Sequence, residues 1–115
     1  MQVEIYRLKE DPELDRRARF LGSRALKKEG LWPPDPKNYK GIQGVSFGPL
    51  GLQSLDEALE YIFSWHRENR EPGVYAMSVG DIIVVYEPEP AGAYFCDKTG
   101  WTPLPKKFYD AVKPL

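Results

Sequence analysis

Cysteine is almost absent from this chain. Cys96 is the only one in 115 residues, so an intrachain disulfide and a thiolate metal cluster are both excluded. That scarcity suits a reducing cytosol. Histidine is equally scarce, with His66 alone. A metal site needs at least two further ligands at matching spacing, and none is visible near it. Long apolar runs are missing too. The longest is Ile82 to Tyr86, far short of the ~20 residues that span a bilayer. Met1-Gln2-Val3-Glu4 has no basic n-region and no apolar h-region, so no secretory signal is expected there. Neither sign of charge is in excess: 16 Lys and Arg against 17 Asp and Glu give a formal charge of −1. The molecule as a whole therefore has no electrostatic pull toward nucleic acid or an anionic membrane. The glycines at 41, 44, 48 and 51 lack the strand-to-helix spacing of a phosphate loop or dinucleotide fingerprint. The expectation is a cytoplasmic protein with no cofactor, no bound metal and no membrane partner.

What the chain does contain is ordinary for a globular domain: 42% hydrophobic and 29% charged residues. Its length fits a single domain, residues 1–115. The 10 glycines and 11 prolines cluster at 30–51, 72–73, 88–92 and 103–105. They punctuate short elements and form no low-complexity tract.

Val3, Ile5 and Leu8 sit in an extended opening, Gln2 to Leu8, with Tyr6 expected on the other face, and this is predicted as a first strand. Asp11 is a good N-cap and Pro12 suits a first helical turn. Leu14, Ala18, Leu21 and Ala25 share one face of the helix that follows, and Gly30 ends it. Trp32-Pro33-Pro34-Asp35-Pro36 excludes helix and central strand, so Leu31 to Tyr39 reads as a long, stiffened loop. A short strand is expected from Ile42 to Phe47, interrupted by Gly44. Ser54-Leu55-Asp56-Glu57 is a capping box. Behind it Leu55, Ala58, Leu59, Ile62, Phe63 and His66 recur at helical spacing. Asp81 to Glu87 is a nearly continuous apolar run, as in a strand buried on both faces. Ala93 to Asp97 and Trp101 to Leu104 complete an antiparallel meander. Residues 105–115 are basic and aromatic, and a loose tail is expected there. The order is β-α-β-α-β-β-β, an α+β domain with two helices on one side of the sheet.

Catalytic residues do not emerge. His66 lies on the apolar face of the second helix without a paired nucleophile or orienting acid, so a structural role is expected. Cys96 sits inside a strand, away from any helix N-terminus that would activate a thiol, and packing is expected of it. Ser78, Gly80 and Asp81 form a structural motif. The serine and aspartate bond nearby backbone amides, and Gly80 supplies a positive φ or a close backbone approach. Arg16, Arg17, Arg19, Arg24, Lys27 and Lys28 cover one side of the first helix. A solvated face is the expected reading and a nucleic-acid surface the alternative. Among 3 Trp, 7 Tyr and 5 Phe, Trp32 stands in a proline loop, and Tyr61 and Trp65 lie off the main helical stripe. These three are the candidates for a protein-binding surface.

Several segments, in order, resemble the YodL-like family of small bacterial, phage and mobile-element proteins. They are Ile5-Tyr6-Arg7-Leu8-Lys9 with Pro12-Glu13-Leu14, then Asp35-Pro36-Lys37-Asn38-Tyr39, then Ser54-Leu55-Asp56-Glu57. Met77-Ser78-Val79-Gly80-Asp81-Ile82-Ile83-Val84-Val85 follows, and after it Ala93-Tyr94-Phe95-Cys96-Asp97 and Gly100-Trp101-Thr102-Pro103-Leu104-Pro105. The chain departs just before Met77, where the family commonly carries histidine or arginine and this sequence has Val74-Tyr75-Ala76. The resemblance implies no catalytic residues. One relative is associated with cell-shape control through the actin-like cytoskeleton, and other copies are appended to mobile-element proteins. Both contexts imply a binding module, and with no catalytic constellation in the sequence the expectation is a non-enzymatic module that binds another protein.

Overall fold

The computed structural model describes residues 1–9, 22–48, 54–87 and 90–113. Five strands form one antiparallel sheet: β1 (Gln2–Leu8), β2 (Tyr39–Ser46), β3 (Ile82–Glu87), β4 (Gly92–Cys96) and β5 (Trp101–Pro103), in the order β2-β1-β3-β4-β5. Three helical segments pack on it: α1 (22–28), α2 (Leu55–Asn69) and α3 (Lys106–Val112). The domain is α+β.

β3 is the spine of the fold. Ile82, Ile83 and Val84 are fully buried and Val85 nearly so, because successive side chains of a central strand point to opposite covered faces. Ile82 and Val84 join Leu8, Leu26, Tyr39, Ala93, Phe95, Leu104 and Phe108 on one face. Ile83 and Val85 join Val3, Ile5, Leu59, Ile62, Met77 and Tyr94 on the other. Each such aliphatic side chain removed from water contributes about 1.5–3 kcal/mol.

The helices flank the sheet on both sides, which corrects the expectation of two helices on one side. Leu59 and Ile62 of α2 cover the second face. Leu26 of α1 and Phe108 of α3 cover the first. The third helix also replaces the expected loose tail: Phe108 is buried at 3% exposure, and its ring meets Tyr39 edge-on at 5.8 Å. Pro105 precedes this helix with φ −57°, a value that suits helix initiation.

The caps predicted at Ser54 and Gly30 are present, and the one predicted at Asp11 and Pro12 lies outside the described residues. Ser54 Oγ accepts the Glu57 N–H at 3.1 Å. Gly30 has φ +74°, and it closes α1 in a Schellman arrangement. The Leu31 N–H bonds the Leu26 carbonyl and the Gly30 N–H bonds the Lys27 carbonyl. Leu14, Ala18 and Leu21 of the predicted apolar stripe lie outside the described residues. In the described end of α1, Gly22, Ser23 and Leu26 are buried and Ala25 is half-buried.

β2 starts at Tyr39, three residues earlier than expected. Asp35 caps a 3-10 turn, Pro36–Asn38, through Oδ1 and the Lys37 N–H at 2.9 Å. That turn delivers Tyr39 directly into the ladder opposite Leu8. The irregularity of this strand is at Ile42. Ile5 pairs Gln43 and Tyr6 pairs Gly41, leaving Ile42 as a bulge.

Asp97 ties α1 to the turn between β4 and β5. Its carboxylate accepts the Ser23 N–H at 3.1 Å, the Ser23 hydroxyl, the Lys98 N–H at 2.9 Å and the Thr102 hydroxyl at 2.6 Å. Burial alone would raise its pKa. The hydrogen bonds from Ser23, Thr102 and Lys98 outweigh that and hold it below the usual carboxylate range. A depressed folded-state pKa stabilises the fold above the unfolded-state value and loses that contribution as pH falls through the folded value. Asp97→Asn should therefore melt well below wild type at pH 6, and the gap should narrow below about pH 3.5. A gap constant from pH 6 to pH 2.5 would show that the carboxylate charge is not what these donors hold.

Candidate functional site: a proline-walled groove

The segment after α1 lies against the first sheet face through Trp32. Its ring meets Phe95 edge-on at 5.1 Å, and Lys27 Nζ lies 5.2 Å from its centroid on the other side. The Trp32-Pro33 peptide is cis. Pinned by Trp32 at one end and by buried Tyr39 at the other, the prolines stand up as a stiff wall. Tyr39 is held by its hydroxyl, which donates to the Gly80 carbonyl at 2.8 Å.

α3 forms the opposite wall. Leu104 donates to the Ala93 carbonyl at 2.8 Å, and Phe108 buries beneath. Tyr109 packs beside Tyr86, with ring centroids 6.2 Å apart. The Lys113 ammonium pairs with Asp110 at 3.2 Å. Between the walls runs a groove of about 920 Å³, lined by Pro33, Pro34, Pro36, Pro105, Phe108, Ala111 and Val112 together with Asp35, Lys37 and Lys107. The lining is mostly apolar, with three charged residues in it. This is the make-up of a site that receives an apolar segment and orients it by a few charges.

The three aromatic candidates separate. Trp32 is half-buried in the core of the first face. Tyr61 and Trp65 lie on the far side of the sheet, where Phe47 meets both edge-on at 5.7 and 5.2 Å. Tyr61 remains 43% exposed. Of the basic residues, Arg24, Lys27 and Lys28 are exposed. Arg16, Arg17 and Arg19 lie outside the described residues.

His66 is 1% exposed. Its Nδ1 is 2.6 Å from Gln43 Oε1, while Nε2 has no partner in hydrogen-bond geometry among the described residues. Burial lowers its pKa. The Tyr75 backbone pulls the other way, and Arg7 and Arg70 lower it further. The ring is thus neutral and enclosed. Cys96 is buried, and its pKa is pushed up to about 12, first by burial and then by Asp81, Glu60 and Asp97. That thiol packs and stays protonated. Among the described residues no group of three His, Cys, Asp or Glu side chains could hold a metal ion. Nor is any described helix long and apolar enough to cross a membrane.

The Ser78, Gly80 and Asp81 motif is a turn joined to a bulge. The Asp81 N–H bonds the Ser78 carbonyl at 3.0 Å, and Gly80 in the third position has φ +97°, as a type II turn requires. The Gly80 N–H donates to the Cys96 carbonyl at 2.9 Å, and the Cys96 N–H donates to the Asp81 carbonyl at 2.8 Å. Two residues thus face one, with glycine first. Asp81 is fully buried. Its Oδ2 accepts the Ser78 N–H at 3.0 Å and lies 3.5 Å from Arg7 Nη2, which also donates to the carbonyls of Tyr75 and Ala76.

The groove went unread in the sequence because α3 did. Phe108, Tyr109 and Val112 recur at helical spacing just after Pro105, and that pattern carries the signal. A second unread cluster is Glu4, whose Oε1 accepts the hydroxyls of Tyr6 at 3.1 Å and Tyr86 at 2.8 Å.

A family model described as the YodL-like domain matches residues 2–108. No curated protein and no solved structure matches the chain.

Proposed function

The chain belongs to the YodL-like domain family, and we propose that it is a non-enzymatic, cytoplasmic protein-binding module whose groove between the proline wall and α3 receives a segment of another protein. The observation that carries this reading is the groove itself, an apolar channel of about 920 Å³ bounded by prolines and by α3. Prolines hold a binding wall in place at little entropic cost, so a partner gains affinity without ordering it. Lys37 and Lys107 in the lining, against one carboxylate, Asp35, favour a partner segment whose apolar side chains are accompanied by acidic ones. The non-enzymatic part of the reading is supported by the burial of His66 and Cys96, which keeps the only imidazole and the only thiol away from a substrate. By family resemblance the biological setting is a mobile element or cell-shape control.

Ala111 is exposed on α3 and lines the groove. Ala111→Glu places a carboxylate there while leaving Phe108 in the core. The folded state should change by no more than about 0.5 kcal/mol, as for other surface positions. Affinity capture from the source cell should recover a protein with the wild-type chain and lose at least about nine-tenths of it with the variant, a cost of about 1.4 kcal/mol in binding. Equal recovery by both would remove the groove from the binding surface.

A further inference from the structure

The two edges of the sheet are built differently. β5 is three residues long and ends on Pro103, which are two of the usual protections against edge-to-edge pairing. β2 is eight residues long, has no proline, and has one neighbouring strand among the described residues. The outward side of its backbone can be deduced. Met1 and Phe47 exchange both of their hydrogen bonds at 2.7 Å. Hydrogen-bonded and non-bonded pairs alternate along an antiparallel ladder. Counting from that pair, Val45 and Gln43 face β1, while Gly44 and Ser46 face away. At the other end the Lys9 N–H bonds the Asn38 carbonyl at 2.7 Å, so Lys40 faces β1 and Gly41 faces away. The bulge at Ile42 brings the two halves into phase.

Tyr39 faces away by the same count, with its N–H already given to the Pro36 carbonyl, and the other three residues that face away, Gly41, Gly44 and Ser46, are small. Gly41 has a reason inside the fold: a Cβ there would lie 2.2 Å from Glu4 Oε2. Gly44 has none. Its φ is not positive, and an added Cβ would meet nothing within 4 Å. Glycine weakens a strand interior, and besides bulges and bends such a glycine marks sites where a ligand or another backbone comes close; the bulge here is at Ile42, not at Gly44.

We propose that this backbone is the β2 edge of a second copy, paired antiparallel about a two-fold axis so that the sheet continues through both molecules. Gly41 of each copy then meets Gly44 of the other. The flanking chemistry is self-complementary. Directly opposed residues share a face, so Lys40, opposite Arg7, lies on the α2 side of the sheet. In the pair, Lys40 comes beside Val45 and Phe47 of its mate. There the Phe47, Tyr61 and Trp65 rings offer cation–π contact, and Asp56 in the acidic first turn of α2 puts a carboxylate on the same helix that carries Tyr61 and Trp65. The two-fold makes each contact twice and closes the assembly. This surface is separate from the groove, and neither reading depends on the other.

Sedimentation equilibrium from 1 µM to about 1 mM on the wild-type chain, on Gly44→Pro and on Lys40→Glu tests the proposal. Proline at position 44 removes an outward N–H that the β1 ladder does not use. Glutamate at position 40 replaces the cation beside those rings with an anion. The wild-type chain should dimerise, and each variant should raise the dissociation constant at least about tenfold with an unchanged circular dichroism spectrum. Should Gly44→Pro misfold, Lys40→Glu decides alone. A wild-type chain that stays monomeric at every concentration overturns the proposal. So does a dimer that Lys40→Glu leaves intact, and so does β2 amide protection that appears only with a different protein bound.

Discussion

Gly80→Val should lower the stability of the domain by about 1–3 kcal/mol, a fall in Tm of roughly 4 °C for each kcal/mol. The reason lies in the backbone. At φ +97° a β-branched side chain collides with its own main chain. Gly80 cannot relax toward negative φ, because both its peptide groups are committed. Its N–H bonds the Cys96 carbonyl, and its carbonyl accepts the Tyr39 hydroxyl. Relaxation would break the β3–β4 register at its first pair, and a slip there turns every buried side chain of β3 to the wrong face. It would also release Tyr39, which anchors one end of the proline wall. Gly80→Ala should cost about 1 kcal/mol, the left-handed penalty without the branched Cβ. Thermal melts of the two variants give the ranking. Should valine melt like wild type, positive φ is not the constraint at this turn.

Asp81→Ala should cost about 3 kcal/mol, near the lower end for breaking a buried ion pair. The carboxylate is fully enclosed and the Arg7 side chain is 12% exposed. Removal leaves the Ser78 N–H without this acceptor and the guanidinium without its counter-charge. Arg7 keeps the Tyr75 and Ala76 carbonyls, and its separation from Asp81 is 3.5 Å, which together place the cost at the lower end. Asp81→Asn keeps an acceptor for Ser78 and should cost less. Urea midpoints for Asp81→Ala, Arg7→Met and the double variant give the coupling between the two residues. An Asp81→Ala loss that is the same with and without Arg7 would trace the whole effect to the turn.

Local rules made the elements legible. The extended stretch from Gln2 to Leu8 has the strand's own bounds, though Leu8 lies on the face of Tyr6 and not on that of Val3 and Ile5, and the cap at Ser54 starts α2. The Ser78 to Asp81 turn reads as a structural motif because glycine between two short polar residues has few other uses. Long-range packing accounts for what was not legible. Whether Trp32 is a surface residue or a core residue depends on Phe95, 63 positions later in the chain. Whether Lys106 to Val112 frays or folds depends on Tyr39, to which Phe108 is matched. The side of the sheet that each helix takes is a property of chain path, and no periodicity encodes it. The groove needs both of these distant matches, so it was hidden with them. The patch that Tyr61 and Trp65 share is organised by Phe47, just past the end of β2, which helical spacing does not reveal.

Parallel affinity capture from the source cell with wild-type chain, Ala111→Glu and Gly44→Pro as baits tests the groove most directly. Each bait is first shown by its melting curve to be folded. The account predicts one protein retained by wild type and by Gly44→Pro and lost by Ala111→Glu, because the groove and the β2 edge are separate surfaces. Retention of that protein by Ala111→Glu would contradict it.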